Sequence, residues 1–112
     1  MEINLIDYGS EISQEYKEVI LKLIQFCNQS YPIKKNISVV LLNSQSESEM
    51  ESNNEKLYIL TKDKSLFDII IAISDKWINL FITNKKVKLI GTEIEILLTK
   101  FLENNGQYRG LF

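Results

Sequence analysis

Residues 57–81 decide the fold, and they read LYILTKDKSLFDIIIAISDKWINLF. The first five are typical of a strand, and the charged residues at 62–64 predict a turn that closes it. A helix begins at Ser65, because Ser65 and Asp68 have the spacing of a capping box. Its apolar residues cover more than half of the circumference, which predicts a central helix packed on both sides. They are Leu66, Phe67, Ile69, Ile70, Ile73, Trp77 and Ile78, up to about Phe81.

The sequence before this stretch predicts two more strands and a helix. Residues 3–7 indicate a strand, followed by a turn at 8–10, with Ser10 as the N-cap of a helix that ends before Pro32. Residues 37–42 are β-branched and apolar throughout, which favours a strand buried on both faces. The helix is amphipathic, since its apolar residues recur at steps of three and four: Ile12, Tyr16, Val19, Ile20, Leu23 and Cys27.

A third helix follows the central one, with a capping box from Thr92 to Glu95 and an end at Asn105-Gly106. Residues 82–90 predict a small hairpin or an extended connection, and the polar residues 43–56 predict a loop. The order strand, helix, strand, strand, helix, helix predicts an α+β fold: a small, mainly three-stranded sheet packed by about three helices. At 112 residues the chain has room for one domain, 1–112.

Composition excludes several function classes. The net charge is −2, so no basic excess favours direct nucleic-acid binding. The chain has no histidine, which excludes a serine-histidine triad, a cysteine-histidine pair and a His-ligated zinc site built from this chain alone. A single cysteine, Cys27, excludes an internal disulfide. With no signal-like region or membrane-length apolar run, the sequence predicts a cytoplasmic protein without membrane contact.

Three blocks carry a resemblance to a known family. They are IDYG at 6–9, LYILTK at 57–62 running into KSLFDII at 64–70, and GTEIE at 91–95. Together they resemble the frame of small single-domain zincin-like metallopeptidases of phages and low-GC bacteria. The resemblance implies a zincin-like fold in which the helix after the strand block carries H-E-x-x-H. Its two histidines bind zinc, its glutamate polarises a water, and a later helix adds a third ligand, often Glu.

In this chain the corresponding register reads Asp75-Lys76-Trp77-Ile78-Asn79. The resemblance places Asp75 and Asn79 at ligand positions, Lys76 at the general-base position, and Glu93 or Glu95 at the third ligand. Such a set of oxygen ligands suits magnesium or calcium better than zinc, and an ammonium group cannot accept a proton from metal-bound water at neutral pH. The resemblance therefore implies a fold retained without its chemistry, with no catalytic residue, metal or cofactor.

A simpler interpretation exists for each of these positions. A solvated helix face explains Asp75 and Asn79, because a spacing of four residues is common by chance. A capping box explains Glu95, and Glu93 lies in a first helical turn where a carboxylate complements the helix dipole.

Three further groups are candidates for partner binding. The first group consists of four glutamates in a stretch without a basic residue: Glu47, Glu49, Glu51 and Glu55. They either present an acidic surface to a basic partner or belong to a flexible, solvated insertion. A second group consists of three lysines that could contact phosphate: Lys85, Lys86 and Lys88. The alternatives are a solvated loop, or an edge strand whose lysines prevent pairing with another chain. Tyr108 and Phe112 belong to an apolar tail that packs on the domain or contacts a partner.

These observations favour a non-catalytic, zincin-like pseudoenzyme that binds a partner protein. A phage or mobile-element inhibitor of a host or defence protein, acting in the host cytoplasm, fits this description. The alternatives are a residual metal-dependent hydrolase using Asp75, Asn79 and a glutamate, and a structural or assembly protein, which a stable homo-oligomer would favour.

Overall fold

The computed structural model describes residues 3–8, 12–43, 56–85 and 93–111. Strands β1 (Ile3–Tyr8), β2 (Ile37–Leu42) and β3 (Lys56–Leu60) form one sheet in the order β1-β2-β3. Both pairings are parallel, with Ile3 opposite Ile37 and Val39 opposite Leu57. The three predicted strands are confirmed within one residue at each end, and the structure adds their direction.

Helix α1 (Gln14–Ser30) joins β1 to β2, and α2 (Leu66–Lys85) follows β3. Helix α3 (Glu93–Asn104) leads into a 3₁₀ helix at Gly106–Leu111. The predicted α+β class is confirmed: the described residues form one three-stranded sheet and three α-helices. No described helix is at once long and apolar enough to span a bilayer.

The prediction of Ser10 as the cap of the first helix is wrong. Helix α1 begins at Gln14, and Ser13 is its N-cap, with the Tyr16 backbone N–H donating to Ser13 Oγ at 3.2 Å. Both serines suit a cap chemically, so residue type alone did not distinguish them. Ser10 itself lies outside the described residues. The predicted end before Pro32 is confirmed, since α1 stops at Ser30.

The predicted cap of α2 is confirmed, because the Asp68 backbone N–H donates to Ser65 Oγ at 3.1 Å. The helix continues to Lys85, so the hairpin or extended connection predicted from residue 82 is wrong for residues 82–85. Phe81 explains the extension: its ring packs edge-on against Tyr31, with centroids 5.3 Å apart, and this keeps the last turns of α2 on the domain. Residues 86–90 lie outside the described part.

The predicted end of the third helix at Asn105-Gly106 is confirmed, since α3 stops at Asn104 and Asn105 caps it. The backbone N–H and the side-chain amide of Asn105 both donate to the Phe101 carbonyl, at 2.9 and 3.0 Å. These bonds satisfy a carbonyl that a helix end leaves unpaired. Gly106 then begins the 3₁₀ helix. The predicted Thr92 cap lies outside the described residues, and so do residues 44–55 of the predicted polar loop. The loop prediction is wrong at its last residue, because Lys56 belongs to β3.

The core lies between one face of the sheet and the three helices. The sheet contributes alternate residues of its inner face: Ile37, Val39, Leu41, Leu57 and Ile59. Helix α2 is central, as predicted, because it contacts α1, α3 and β3. Trp77 is 0% exposed and its indole N–H donates to the Tyr31 carbonyl at 2.9 Å, so its prediction as a core residue is confirmed.

Two buried hydroxyls provide a test of this packing. Thr61 Oγ1 donates to the Leu42 carbonyl at 2.9 Å, whereas Ser74 Oγ has no nitrogen or oxygen partner in the described part of the chain. We expect Ser74→Ala to raise the free energy of unfolding by up to about 1 kcal/mol, because the neighbouring Cys27 thiol is only a weak partner for a buried hydroxyl. Thr61→Val, the matched control, should lower it by about 1 kcal/mol. Urea denaturation measures both free energies, and equal losses would show that Ser74 is paired as well as Thr61 is.

Candidate functional site

Asp75 and Asn79 lie one turn apart on α2, and both are exposed. The Asn79 side-chain amide donates to the Asp75 backbone carbonyl at 2.9 Å and to Asp75 Oδ1 at 3.2 Å. Each is two residues from Trp77, which places it about 160° round the helix from that buried ring. The structure therefore brings these two predicted positions together on the side of α2 away from Trp77.

Glu93 lies near the other side of α2. Its Oε2 accepts a hydrogen bond from the Tyr31 hydroxyl at 2.8 Å, and Tyr31 in turn contacts Phe81 and Trp77. Glu95 is exposed on α3. In the described ranges, no group of three or more His, Cys, Asp or Glu side chains is placed to hold a metal ion. Glu93 is thus bonded to Tyr31, whose other contacts, Phe81 and Trp77, are on the side of α2 away from Asp75 and Asn79.

Most of the partner-binding candidates lie outside the described residues. These are Glu47, Glu49, Glu51, Glu55, Lys86, Lys88 and Phe112. Lys85 is the last residue of α2. Tyr108 is half-buried, and its ring stacks on Phe101 with centroids 6.4 Å apart, so this part of the tail packs on the domain.

Two groups in the helical layer have raised pKa values. Burial raises the pKa of the Cys27 thiol from 9.0 to about 12, and the neighbouring Ser74 hydroxyl opposes this in part. Burial, then the hydrogen bond to Glu93 and its charge, raises the pKa of Tyr31 from 10.0 to about 12. A thiol with this pKa is protonated at neutral pH and is a poor nucleophile. Cys27 is therefore a core residue.

These shifts predict that the fold loses stability in alkali. Between about pH 9 and 12 the unfolded chain releases the two protons while the folded chain keeps them, so stability falls as pH rises. We expect urea denaturation to show full stability at pH 8 and a progressive loss above about pH 9. Cys27→Val with Tyr31→Phe should flatten this dependence. An unchanged slope in that double variant would show that other groups cause it.

A cleft of about 730 Å³ lies at the carboxyl ends of the parallel strands. Residues from the start of α1, the end of β2 and the β3–α2 turn line it: Ile12, Ser13, Glu15, Tyr16, Asn43, Thr61, Lys62, Asp63, Lys64 and Ile69. In open sheets of parallel strands, ligands bind outside the carboxyl ends. The cleft is therefore the concave feature of the described chain whose position best suits binding.

The cleft combines apolar and charged side chains. Ile12 and Tyr16 are half-buried and Ile69 is buried, whereas the charged residues at the rim are exposed. Asp63 has φ of +58°, a left-handed conformation that a non-glycine residue adopts mainly in turns. This turn, closed by the Lys64 N–H donating to the Thr61 carbonyl at 3.1 Å, presents Lys62 and Lys64 beside the cleft.

The serine and threonine hydroxyls of the cleft are hydrogen-bonded to the backbone. Ser13 Oγ caps α1, and Thr61 Oγ1 donates to the Leu42 carbonyl, which also accepts from the Thr61 N–H at 2.8 Å. An activated nucleophile instead has its hydroxyl hydrogen-bonded to a general base. The arrangement thus suits recognition by contact and charge better than nucleophilic chemistry.

Sequence reasoning missed this cleft. The turn at Lys62–Lys64 was predicted, but its approach to Ser13 and Tyr16 depends on β1 and β3 running in the same direction with β2 between them. The direction of a strand cannot be predicted from an apolar run of five or six residues. The signal that sequence did contain was a serine-bearing helix start after one strand and a Lys-Asp-Lys turn after another.

The chain matches no known protein-family model, no curated protein and no solved structure.

Proposed function

We propose that this protein is a non-catalytic, zincin-like pseudoenzyme that binds a partner protein in the host cytoplasm. A phage or mobile-element inhibitor of a host or defence protein would act in this way. The cleft at the carboxyl ends of the strands is the docking surface. It carries the proposal, because it joins apolar side chains at its base to charged side chains at its rim.

This distribution is that of a protein interface. Such interfaces have a desolvated apolar centre, often with an aromatic residue, inside a polar rim that stays in contact with water. Tyr16 and Ile12 supply the centre, while Lys62, Lys64 and Glu15 supply rim charges of both signs. Rim charges fix the orientation of a partner and speed its association.

The chemistry of α2 also favours binding over catalysis. At the positions where the family resemblance expects zinc ligands, the Asn79 amide is bonded to Asp75. The position expected to hold a general base is Lys76, so the carboxylate that would activate a metal-bound water in a zincin is absent from that position.

The binding surface is tested by capture of partners from a host lysate on the immobilised protein. Lys62→Glu with Lys64→Glu should reduce retention of the partner about tenfold, because two rim charges are reversed. Lys22→Glu with Lys100→Glu is the matched control: these lysines are also exposed, and the change in net charge is the same. It should alter retention by less than about twofold. Equal retention by both variants would locate the binding surface elsewhere.

The pseudoenzyme proposal also predicts that the purified protein carries no stoichiometric zinc. A structural metal contributes directly to folding free energy, so chelator treatment should leave the thermal midpoint unchanged. Elemental analysis and a melting curve with and without chelator check this. About one zinc per chain, or a loss of several degrees on chelation, would instead support a metal-dependent enzyme.

A further inference from the structure

The turn between β3 and α2 holds one residue in a conformation that most side chains disfavour. The Lys64 N–H donates to the Thr61 carbonyl at 3.1 Å, which closes a turn over residues 61–64. Asp63 is the third residue of this turn and has φ of +58°, and no other described non-glycine residue has a positive φ. A positive φ at the third position alone is typical of a type II turn, where glycine or asparagine is usual. Aspartate and asparagine tolerate this conformation, whereas β-branched residues do not.

Both ends of this turn are fixed to the rest of the fold. Thr61 is buried, and its backbone N–H and its hydroxyl both donate to the Leu42 carbonyl at the end of β2, at 2.8 and 2.9 Å. On the other side Ser65 caps α2, whose first residue, Leu66, is also buried. Residues 62–64 therefore connect two anchored points, and a strained backbone conformation persists where the surrounding structure determines it in this way.

The strained residue lies between the two lysines of the cleft rim. Lys62, Asp63 and Lys64 are all exposed, and all three line the cleft. A lysine side chain is flexible, so a partner that binds it must offset the entropy lost when that side chain is ordered. A backbone held in one conformation fixes the starting point of both lysine side chains and leaves less to be ordered. The side chain of Asp63 adds nothing to the core, and its contribution is that it tolerates the left-handed conformation.

We propose that Asp63 is a positioning residue for partner binding: its left-handed conformation holds Lys62 and Lys64 in the arrangement that a partner recognises. This inference rests on the proposed function, because it assigns a role within the same cleft. Asp63 acts through the backbone, whereas the two lysines act through their charge. The two roles affect different rate constants. Charge sets the association rate by steering the partner, while preorganised contacts determine how slowly the partner dissociates.

Two variants separate conformation from charge. Asp63→Asn and Asp63→Val both remove the carboxylate and change the net charge equally, but only valine disfavours a positive φ. The probe is the protein that the full chain captures from the host lysate, purified and passed over the immobilised variants. Asp63→Val should raise its dissociation rate about fivefold and change its association rate by less than about twofold. Asp63→Asn should leave both rates within about twofold, and Asp63→Ala, which is not β-branched, should lie between the two variants.

Amide NMR of the free, isotope-labelled full chain provides a second measurement, which needs no partner. The coupling between the amide and α protons of Asp63 reports φ, and nitrogen relaxation reports the order of the turn. We expect a positive φ, with order parameters of about 0.85 at residues 62–64, in the wild type and in Asp63→Asn. In Asp63→Val the order of these residues should fall, while amide shifts away from the turn stay unchanged because the rest of the fold is intact.

Three outcomes would overturn this proposal. They are order parameters below about 0.6 at residues 62–64 of the wild type, a negative φ at Asp63, and equal dissociation rates for Asp63→Asn and Asp63→Val. Failure of the proposed function looks different, because Lys62→Glu with Lys64→Glu would then leave retention of the partner unchanged, and both proposals would be wrong. If that charge reversal weakens binding while Asp63→Val does not, the role of Asp63 alone is wrong.

Discussion

Trp77→Ala is expected to lower the free energy of unfolding by about 3–5 kcal/mol, the range for removing a large buried aromatic side chain. Trp77 is 0% exposed in the layer where α2 contacts α1 and α3, and its indole N–H donates to the Tyr31 carbonyl. The substitution leaves a cavity and an unpaired carbonyl together. Ile73→Asp should prevent folding altogether, because Ile73 is also 0% exposed and the new carboxylate has no partner there.

Asp75→Ala is the control for this prediction, since Asp75 is exposed on the same helix. It should change stability by less than about 0.5 kcal/mol, as exposed substitutions usually do. Urea denaturation of the three variants makes the comparison. Equal tolerance at positions 73, 75 and 77 would mean that the buried face of α2 has been assigned to the wrong side.

Phe101→Ala should lower the free energy of unfolding by a similar amount, about 3–5 kcal/mol. Phe101 is 0% exposed, and its ring contacts Phe26 edge-on at 5.8 Å between centroids and stacks with Tyr108 at 6.4 Å. These contacts join α1, α3 and the 3₁₀ helix, so the truncation removes support from three elements at once.

Ile96→Ala is the matched control on the same helix, because Ile96 is 44% exposed. It should lower stability by less than about 1 kcal/mol. Thermal and urea unfolding provide both values. A loss at position 96 as large as that at position 101 would contradict the orientation given to α3.

Local signals were sufficient to predict the three strands and the three α-helices, but not the 3₁₀ helix at Gly106–Leu111. The β-branched run at residues 37–42 predicted a buried strand, and the Ser65 cap set the start of α2 within one residue. Local signals failed at the start of α1, because Ser10 and Ser13 are both good caps. They also failed at the end of α2, because that end depends on Phe81 packing against Tyr31, which is distant in sequence.

The candidate site required information that no local pattern holds. The cleft forms because three strands run parallel, which brings Ser13 and Lys62 to one edge although 48 intervening residues separate them in sequence. The positions suggested by the family resemblance depend on how α2 and α3 face each other. The Tyr31 hydroxyl donates a hydrogen bond to Glu93, which positions that carboxylate. The sequence contains no pattern that predicts this contact.

Hydrogen-deuterium exchange on the complex tests most directly whether the cleft binds the captured partner. The backbone amides of Tyr16, Asn43, Lys62 and Lys64 should exchange more slowly in the complex than in the free protein, because the partner shields the residues that line the cleft. Backbone amides of α1 near Lys22, on a solvent-exposed face of that helix, should exchange at the same rate in the complex and in the free protein. Protection confined to the exposed side of α2 around Asp75 and Asn79, with the cleft amides unchanged, would contradict the account.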